Sequence, residues 1–417
     1  MRIGIDGGCL SNRRGFGRFS RRMLDALAKD RGPHELAVIL DRPSAPQVSL
    51  PGGVEPILVD VIAAPSRAAS SQGRRSLRDM LAMGRAAARA RLDLFYFPAT
   101  YTFYPVWNVR RVVVTMHDTL ALAHPGLVFP SRAGRLAWLL KEYAAARWAD
   151  RIVTVSETSR RDLQSWFRLP PDKLRVVTEA PDPVFRPESG NPAGTAVLRR
   201  YGIPHGSRYL LYVGGLSPHK NLPRLIEAFA WAADGTLVLV LVGDLNDVFH
   251  TQIPEIRAAI ERGGLGGRVL LPGFVPDADL VHLYSRAYAL VQPSLMEGFG
   301  LPAVESMACG TPVVSSRAGS LPEVVGDAGI FFDPLCTSSI AGAIDRISAD
   351  PDLRARLADR ALARSREFSW DRAARLLIQC FEEFDRRSGR GAARPRQPGP
   401  RSAWRGESRP GRSTKVR

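Results

Sequence analysis

Apolar residues along this chain come in short runs of strand length, separated by stretches in which they return every three or four positions, the alternation of a β-α-β scheme. Residues 3–5, 37–40, 94–97, 112–116 and 152–155 read as strands. These runs are almost continuously aliphatic or aromatic, as parallel strands covered by helices on both faces require. Residues 16–28 carry the first helical period. The scheme restarts beyond a proline-rich segment, Ala180-Pro181-Asp182-Pro183-Val184-Phe185, and a polar run to Ala193. There, 209–213, 237–242 and 269–271 are expected strands and 222–233 a helix, with a long final helix over 369–384. The pattern predicts an α/β protein of two units, 1–185 and 186–368, followed by a helix over 369–385. A length of 417 residues agrees, because one core seldom organises so long a chain.

Candidate chemistry sits where expected strands end. The most distinctive segment is Glu297-Gly298-Phe299-Gly300-Leu301-Pro302-Ala303-Val304-Glu305. Gly298 and Gly300 let the backbone approach a ligand closely. Pro302 suits the first turn of a helix that runs to about Ala308, with Gly310 beyond its end and Pro312 blocking continuation. The helix start offers N–H groups to a pyrophosphate. Glu297 before it and Glu305 two turns into it place one carboxylate on each side of a bound diphosphate. In Gly214-Gly215-Leu216-Ser217-Pro218-His219-Lys220 a second strand-to-helix turn sets Lys220 beside a helix N-terminus. In the first unit His117-Asp118 follows the strand 112–116, at the carboxyl end where α/β sheets hold ligands.

The Glu-x7-Glu segment, with Val291-Gln292-Pro293-Ser294 before it and Leu321-Pro322-Glu323-Val324-Val325 after it, resembles the donor-site signature of the retaining glycosyltransferases of family 4, including bacterial mannosyltransferases. The resemblance spans roughly residues 1–385. It implies the GT-B fold: two Rossmann-like domains facing each other across a cleft, the first for the acceptor, the second for the nucleotide-sugar donor, and a C-terminal helix crossing back. It further implies that His117, Asp118 and Glu297 stand at the reacting sugar. Gly15, Gly17, Gly214, Gly215, Lys220, Phe274, Val275, Gly298, Phe299, Gly300, Leu301 and Glu305 would hold the donor, with Gly15-Phe16-Gly17-Arg18 as a loop reaching across the cleft. Phe274 and Val275 would flank the base, Lys220 would contact the diphosphate, and Asp118 could fix the His117 tautomer or reach the acceptor hydroxyl. An arginine often follows the first glycine of the second turn in the family; here Gly215 stands there, so His219 or an arginine such as Arg18 would assist Lys220. Asp277-Ala278-Asp279 has the form of a metal-binding pair in the other large glycosyltransferase fold. It precedes a helical pattern, so a helix N-cap explains it better, and no metal or other cofactor is expected.

Composition then narrows the partners. Of the net charge of +17, about ten units lie from Arg386 onward, where eleven Lys or Arg meet one acidic residue. Such a segment cannot bury enough apolar surface to fold alone and is expected to be a disordered basic tail. It lacks interleaved aromatics apart from Trp404, which disfavours nucleic acid as a partner. The four cysteines form no close pair, and no run approaches the ~18 apolar residues of a membrane helix. A cytoplasmic location is expected. Two basic helical patterns, 74–91 and 132–151, the second carrying Leu136, Trp138, Leu140 and Trp148, suit an anionic membrane surface; packed helices with solvated faces explain them equally well. The expected reaction moves a hexose, mannose first, to a lipid-linked or oligosaccharide acceptor in surface polysaccharide assembly. A nucleotide-sugar epimerase, a sugar-phosphate synthase and a noncatalytic nucleotide-sugar or nucleic-acid binding protein stay open as alternatives.

Overall fold

The computed structural model describes residues 1–12, 15–63, 76–129, 131–188, 192–245 and 252–388. The apolar runs form two parallel sheets. The first contains β1 (Arg2–Asp6), β2 (Glu35–Asp41), β3 (Val54–Val59), β4 (Leu94–Phe97), β5 (Arg111–Thr115), β6 (Arg151–Thr154) and β7 (Leu174–Val176), in the order β3-β2-β1-β4-β5-β6-β7. The second contains β8 (Tyr209–Val213), β9 (Val238–Val242), β10 (Val269–Gly273), β11 (Ala289–Gln292), β12 (Val313–Ser316) and β13 (Gly329–Phe332), in the order β10-β9-β8-β11-β12-β13. Central strands such as β4 and β9 are buried along their whole length, which is why they read as unbroken apolar runs.

In both sheets the winding reverses beside the first strand, between β1 and β4 and between β8 and β11. Doubly wound sheets bind ligands outside the carboxyl ends at such a point. The segments that leave β1, β8 and β11 there include Gly15, Gly214 to Lys220, and Glu297 to Gly300. Two Rossmann-like domains thus aim their switch points at one cleft, the GT-B architecture.

The final helix, Trp370–Ser388, returns to the first domain. Lys29 Nζ pairs with Asp371 Oδ2 at 2.8 Å, Trp370 Nε1 donates to Pro181 O at 3.2 Å, and the Phe381 ring lies 5.6 Å from that of Tyr96. It extends past the expected end at 385, so residues 386–388 are helical. The expected basic tail otherwise lies outside the described residues.

Several elements differ from expectation. The strands β3, β7, β11, β12 and β13 carry weak sequence signals: β3 holds Pro56 and is partly exposed, β7 has three residues, β11 and β12 end in Gln292 and in Ser315-Ser316, and β13 begins with Gly329. Gly15-Phe16-Gly17-Arg18 is the first turn of the helix Gly15–Lys29, not a loop. Gly17 is required there because a Cβ would fall 1.8 Å from Asn12 O. The first basic pattern is the helix Leu77–Arg89, and Arg74 lies outside the described residues. The second ends at Trp148. Arg151 belongs to β6 and is buried, donating to Asp172 O at 2.8 Å and pairing with Glu383 at 3.0 Å, so it contributes nothing to a basic face.

Candidate active site

A cleft of about 1630 Å³ lies between the domains, and the predicted His117, Asp118, Glu297, Glu305, Gly15, Gly214, Gly215, Lys220, Phe274, Val275 and Gly298 to Leu301 all line it. Gly17 does not, its place being within the helix base.

The turn after β11 is fixed from both domains. The Gly298 carbonyl accepts from Ser156 Oγ at 2.8 Å and Ser159 Oγ at 3.1 Å, and Ser156 also caps the helix Glu157–Phe167. A Cβ on Gly298 would meet His117 O at 2.6 Å and Asp118 Cβ at 3.0 Å. The glycine is therefore demanded by contact with the first domain rather than by ligand approach. Gly300 takes φ +99°, where only glycine is unstrained, and caps the helix Leu301–Ala308. Pro302 has no N–H, and Ala303 N–H is taken by Gly300 O at 2.9 Å. This helix end thus offers a diphosphate fewer backbone donors than a regular first turn. Phe299 turns inward and packs on Phe368, ring centroids 5.4 Å apart.

Charge at the cleft is paired. Lys220 Nζ lies 2.6 Å from Glu297 Oε1, which also accepts from Gln292 Nε2 at 2.9 Å and Ser294 Oγ at 2.6 Å. Burial raises the Glu297 pKa, but Lys220 and the hydrogen bonds outweigh it and hold the group below the ordinary carboxylate range. Glu305 is deeply buried and held by Arg18 Nη1 and by Tyr284 OH at 3.0 Å. Burial there wins, and its pKa rises. Burial lowers the Arg18 pKa, but Glu305 and Asp277 overcompensate, so the guanidinium stays charged.

His219 also lines the cleft and is held neutral in the unliganded site. Burial and the neighbouring Lys220 push its pKa down to about 3, and its buried Nδ1 has no hydrogen-bond partner. Nor is Asp277 or Asp279 an N-cap. The helix Asp277–Arg286 is capped by Pro276, and both aspartates sit in its first turn, favoured by the dipole. Asp277 Oδ1 accepts from Arg18 Nη2 at 2.5 Å, whereas Asp279 accepts from Arg200 at 2.9 Å and Tyr201 OH at 2.6 Å. Among the described residues, no group of three His, Cys, Asp or Glu is disposed to hold a metal. Phe274 is exposed at the cleft and free to stack, while Val275 is core.

In the first domain His117 is gripped from both sides: Nδ1 lies 3.1 Å from Glu179 Oε1 and Nε2 3.0 Å from Pro98 O. Phe16 and Phe19 meet its ring edge-on, with centroids at 5.0 Å and 4.7 Å. Asp118 does not orient it. Its Oδ1 instead accepts from Leu120 N at 2.8 Å, and burial raises its pKa. Glu179, buried just beyond β7, is the residue that sequence reasoning missed. The only hint was an acid immediately before Ala180-Pro181.

Fold and cleft together define a GT-B glycosyltransferase. Residues 13–183 match the family described as "Glycosyltransferase Family 4" and residues 196–364 the one described as "Glycosyl transferases group 1". The O-antigen chain mannosyltransferase B of Escherichia coli is 34% identical over 284 residues, 67% of this chain and 72% of that protein. The D-inositol 3-phosphate glycosyltransferase of Acidothermus cellulolyticus is 33% identical over 291 residues, 66% of this chain and 62% of that one. HepE of Anabaena, solved with UDP-glucose, superposes with a TM-score of 0.66 at 19% identity, over 92% of this chain and 100% of that chain, which speaks for the fold. The chain belongs to the family 4 type of GT-B glycosyltransferases and is a hexosyltransferase.

Proposed function

We propose that the protein transfers a hexose, mannose in the first place, from a nucleoside diphosphate sugar to a lipid-linked or oligosaccharide acceptor during polysaccharide assembly. The observation that carries this reading is the contact of Gly298 with His117 and Asp118, which joins the donor-domain carboxylate Glu297 to the acceptor-domain histidine in one cleft. The mannosyltransferase relative supports the sugar and the pathway class, and the UDP-glucose bound to HepE supports the donor class.

In this reading the diphosphate meets Lys220 and the Gly214-Gly215 turn, the base stacks on Phe274, and Glu305 takes ribose hydroxyls in exchange for part of its hold on Arg18. Glu297 and His117 flank the sugar. Transfer retains anomeric configuration: the acceptor oxygen bonds to C1 on the face from which the diphosphate oxygen leaves, and that oxygen receives the acceptor's proton. The products are the glycosylated acceptor and the nucleoside diphosphate. The protein contributes positioning and charge stabilisation, and no metal is required. No helix among the described residues is long and apolar enough to cross a membrane; a lipid-linked acceptor is met by surface docking.

A thermal-shift panel of nucleoside diphosphates and their sugars tests the donor assignment, since a ligand of the native state raises the melting temperature. Transfer of labelled sugar in excess chelator tests the metal-free chemistry. Silence across the panel, or activity that returns only with added magnesium or manganese, would overturn the respective half.

A further inference from the structure

The strand β11 ends in a residue that a fully buried strand has reason to exclude. Gln292 is completely buried, and its Oε1 has no hydrogen-bond partner among the described residues. Such an orphan calls for an explanation. Its amide Nε2 supplies one by donating to Glu297 Oε1 at 2.9 Å, since the reverse orientation would set an amide oxygen against a carboxylate oxygen. Gln292 thus forgoes one hydrogen bond and donates to Glu297.

Ser294, equally buried, donates to the same oxygen at 2.6 Å, and its own carbonyl accepts from Ser316 Oγ of β12 at 2.6 Å. The backbone of Glu297 is fixed too. Ser320 N and Oγ each donate to Glu297 O at 3.1 Å, and a Cβ on Gly319 would fall 2.6 Å from that carbonyl. Lys220 also takes Oε1, at 2.6 Å. Among the described residues no donor reaches Oε2, which leaves that oxygen to the cleft that Glu297 lines.

The three donors on Oε1 are not equivalent, because Lys220 is the cation that the donor diphosphate must share. The other ionisable groups facing Glu297 are His219 from the same turn, Tyr212 from β8 and Asp118 from the first domain. His219 is neutral, Tyr212 is a phenol whose OH donates to Gly215 O at 2.6 Å, and Asp118 is an acid. Of these groups only Lys220 is positive. A bound diphosphate draws that charge off and sets its own negative charge nearby, so burial then favours the protonated carboxyl.

We propose that Gln292 and Ser294 are positioning residues for transfer: they keep Glu297 anionic, with Oε2 turned to the sugar, while the diphosphate holds Lys220. A protonated Glu297 would place a donor where a sugar hydroxyl needs an acceptor, and would no longer offset positive charge developing at the reacting carbon. This rests on the placement of Glu297 and Lys220 in the glycosyltransferase reading.

The test is calorimetric titration of the full chain with GDP and with UDP at about pH 6, in two buffers of different ionisation enthalpy, which counts the protons taken up on binding. Glu297→Gln supplies the reference, because its uptake comes from the nucleotide and the rest of the protein. Wild type and Glu297→Gln take up the same number of protons. Gln292→Met combined with Ser294→Ala takes up about half a proton or more in excess, the size expected when charge-assisted hydrogen bonds are withdrawn from a buried carboxylate. Adding Glu297→Gln to that pair abolishes the excess. Ser294→Ala alone shows a smaller excess of the same sign, and carries the test if the combined variant does not fold. A purely structural role would lower nucleotide affinity with no uptake that depends on Glu297, and that result overturns the proposal. Uptake by wild type in excess of Glu297→Gln overturns it as well, since the carboxylate would then be protonated despite both residues. Failure of wild type to bind either nucleotide would instead overturn the donor reading, and this inference with it.

Discussion

Arg18 and Glu305 stand 287 positions apart and in different domains, yet the guanidinium holds the buried carboxylate with one nitrogen and Asp277 with another. The first turn of the helix Gly15–Lys29 is thereby tied to the donor-domain helices Leu301–Ala308 and Asp277–Arg286. Glu323 makes a second tie, accepting from Glu157 N at 2.8 Å and Thr158 N at 2.9 Å at the start of a first-domain helix. Each tie joins a helix N-terminal segment of one domain to a charged group of the other.

Removing Arg18 should therefore cost more than a surface ion pair. Arg18→Ala leaves Glu305 buried with Tyr284 as its remaining partner, a change of about 3 to 5 kcal/mol where a buried pair is broken from one side. Scanning calorimetry is expected to show a lowered melting temperature and a broader transition as the domains uncouple. An unchanged transition would show that the tie contributes nothing to the folded state.

Lys220 is the cation that the donor diphosphate must share with Glu297. Lys220→Ala should weaken nucleoside diphosphate binding by about 1.5 to 3 kcal/mol, the range of charge-assisted hydrogen bonds. Glu297→Gln removes the competitor, so binding should hold or tighten while turnover falls, because a hydroxyl acceptor at the sugar becomes a weaker amide. Titration of both variants beside steady-state kinetics checks this. A Glu297→Gln variant that loses nucleotide affinity would place that carboxylate on the wrong part of the donor.

His117 and Glu179 should act as a unit. His117→Ala is expected to lower kcat by about 100-fold, as loss of a positioned hydrogen-bonding group near the reacting carbon does, with donor affinity preserved. Glu179→Gln keeps the shape but gives Nδ1 a neutral partner, so a smaller fall in kcat with little change in KM is expected. Adding Glu179→Gln to His117→Ala should then cost little, because the carboxylate acts through the ring. Full additivity of the two losses would separate them.

How much of this was readable in advance follows from where each signal lies. Local motifs such as Gly298 to Pro302 announce a strand-to-helix turn because its chemistry is carried by adjacent residues, and the helix Leu301–Ala308 starts where they point. Central strands such as β4 and β9 announce themselves because burial on both faces favours an unbroken apolar run, whereas β11 and β12 are buried as fully but carry Gln292, Ser315 and Ser316 and lose that signature. The edge strands β3 and β7 face solvent or are very short, and so lack that signature. The partners of the motifs were not legible: Arg18 with Glu305, Glu179 with His117 and Ser156 with Gly298 are long-range pairs made by the sheet topology. The neutral state of the His219 ring was not legible for the same reason, since nothing local to Pro218-His219-Lys220 reveals the burial of its Nδ1.

That burial makes His219 a source of acid lability. Its pKa is pushed down to about 3 by desolvation and then by Lys220, whereas an unfolded histidine titrates near ~6.5. Between those values the unfolded chain binds a proton that the native state refuses, so stability falls as pH drops below about 6.5, by up to ~1.4 kcal/mol per pH unit. Glu305 and Asp118, whose pKa values are raised by burial, work in the opposite sense, since the folded state takes up their protons first. Glu297, held low, adds to acid loss only below about 4.3, the unfolded carboxylate value. Comparing wild type with His219→Gln cancels the carboxylates common to both. Urea melts at steps from pH 7 to 4.5 should show the wild type losing stability faster, the gap opening below about pH 6.5. Parallel curves would mean that the native state opens enough to protonate the ring, and the buried neutral histidine beside Lys220 would have to be abandoned.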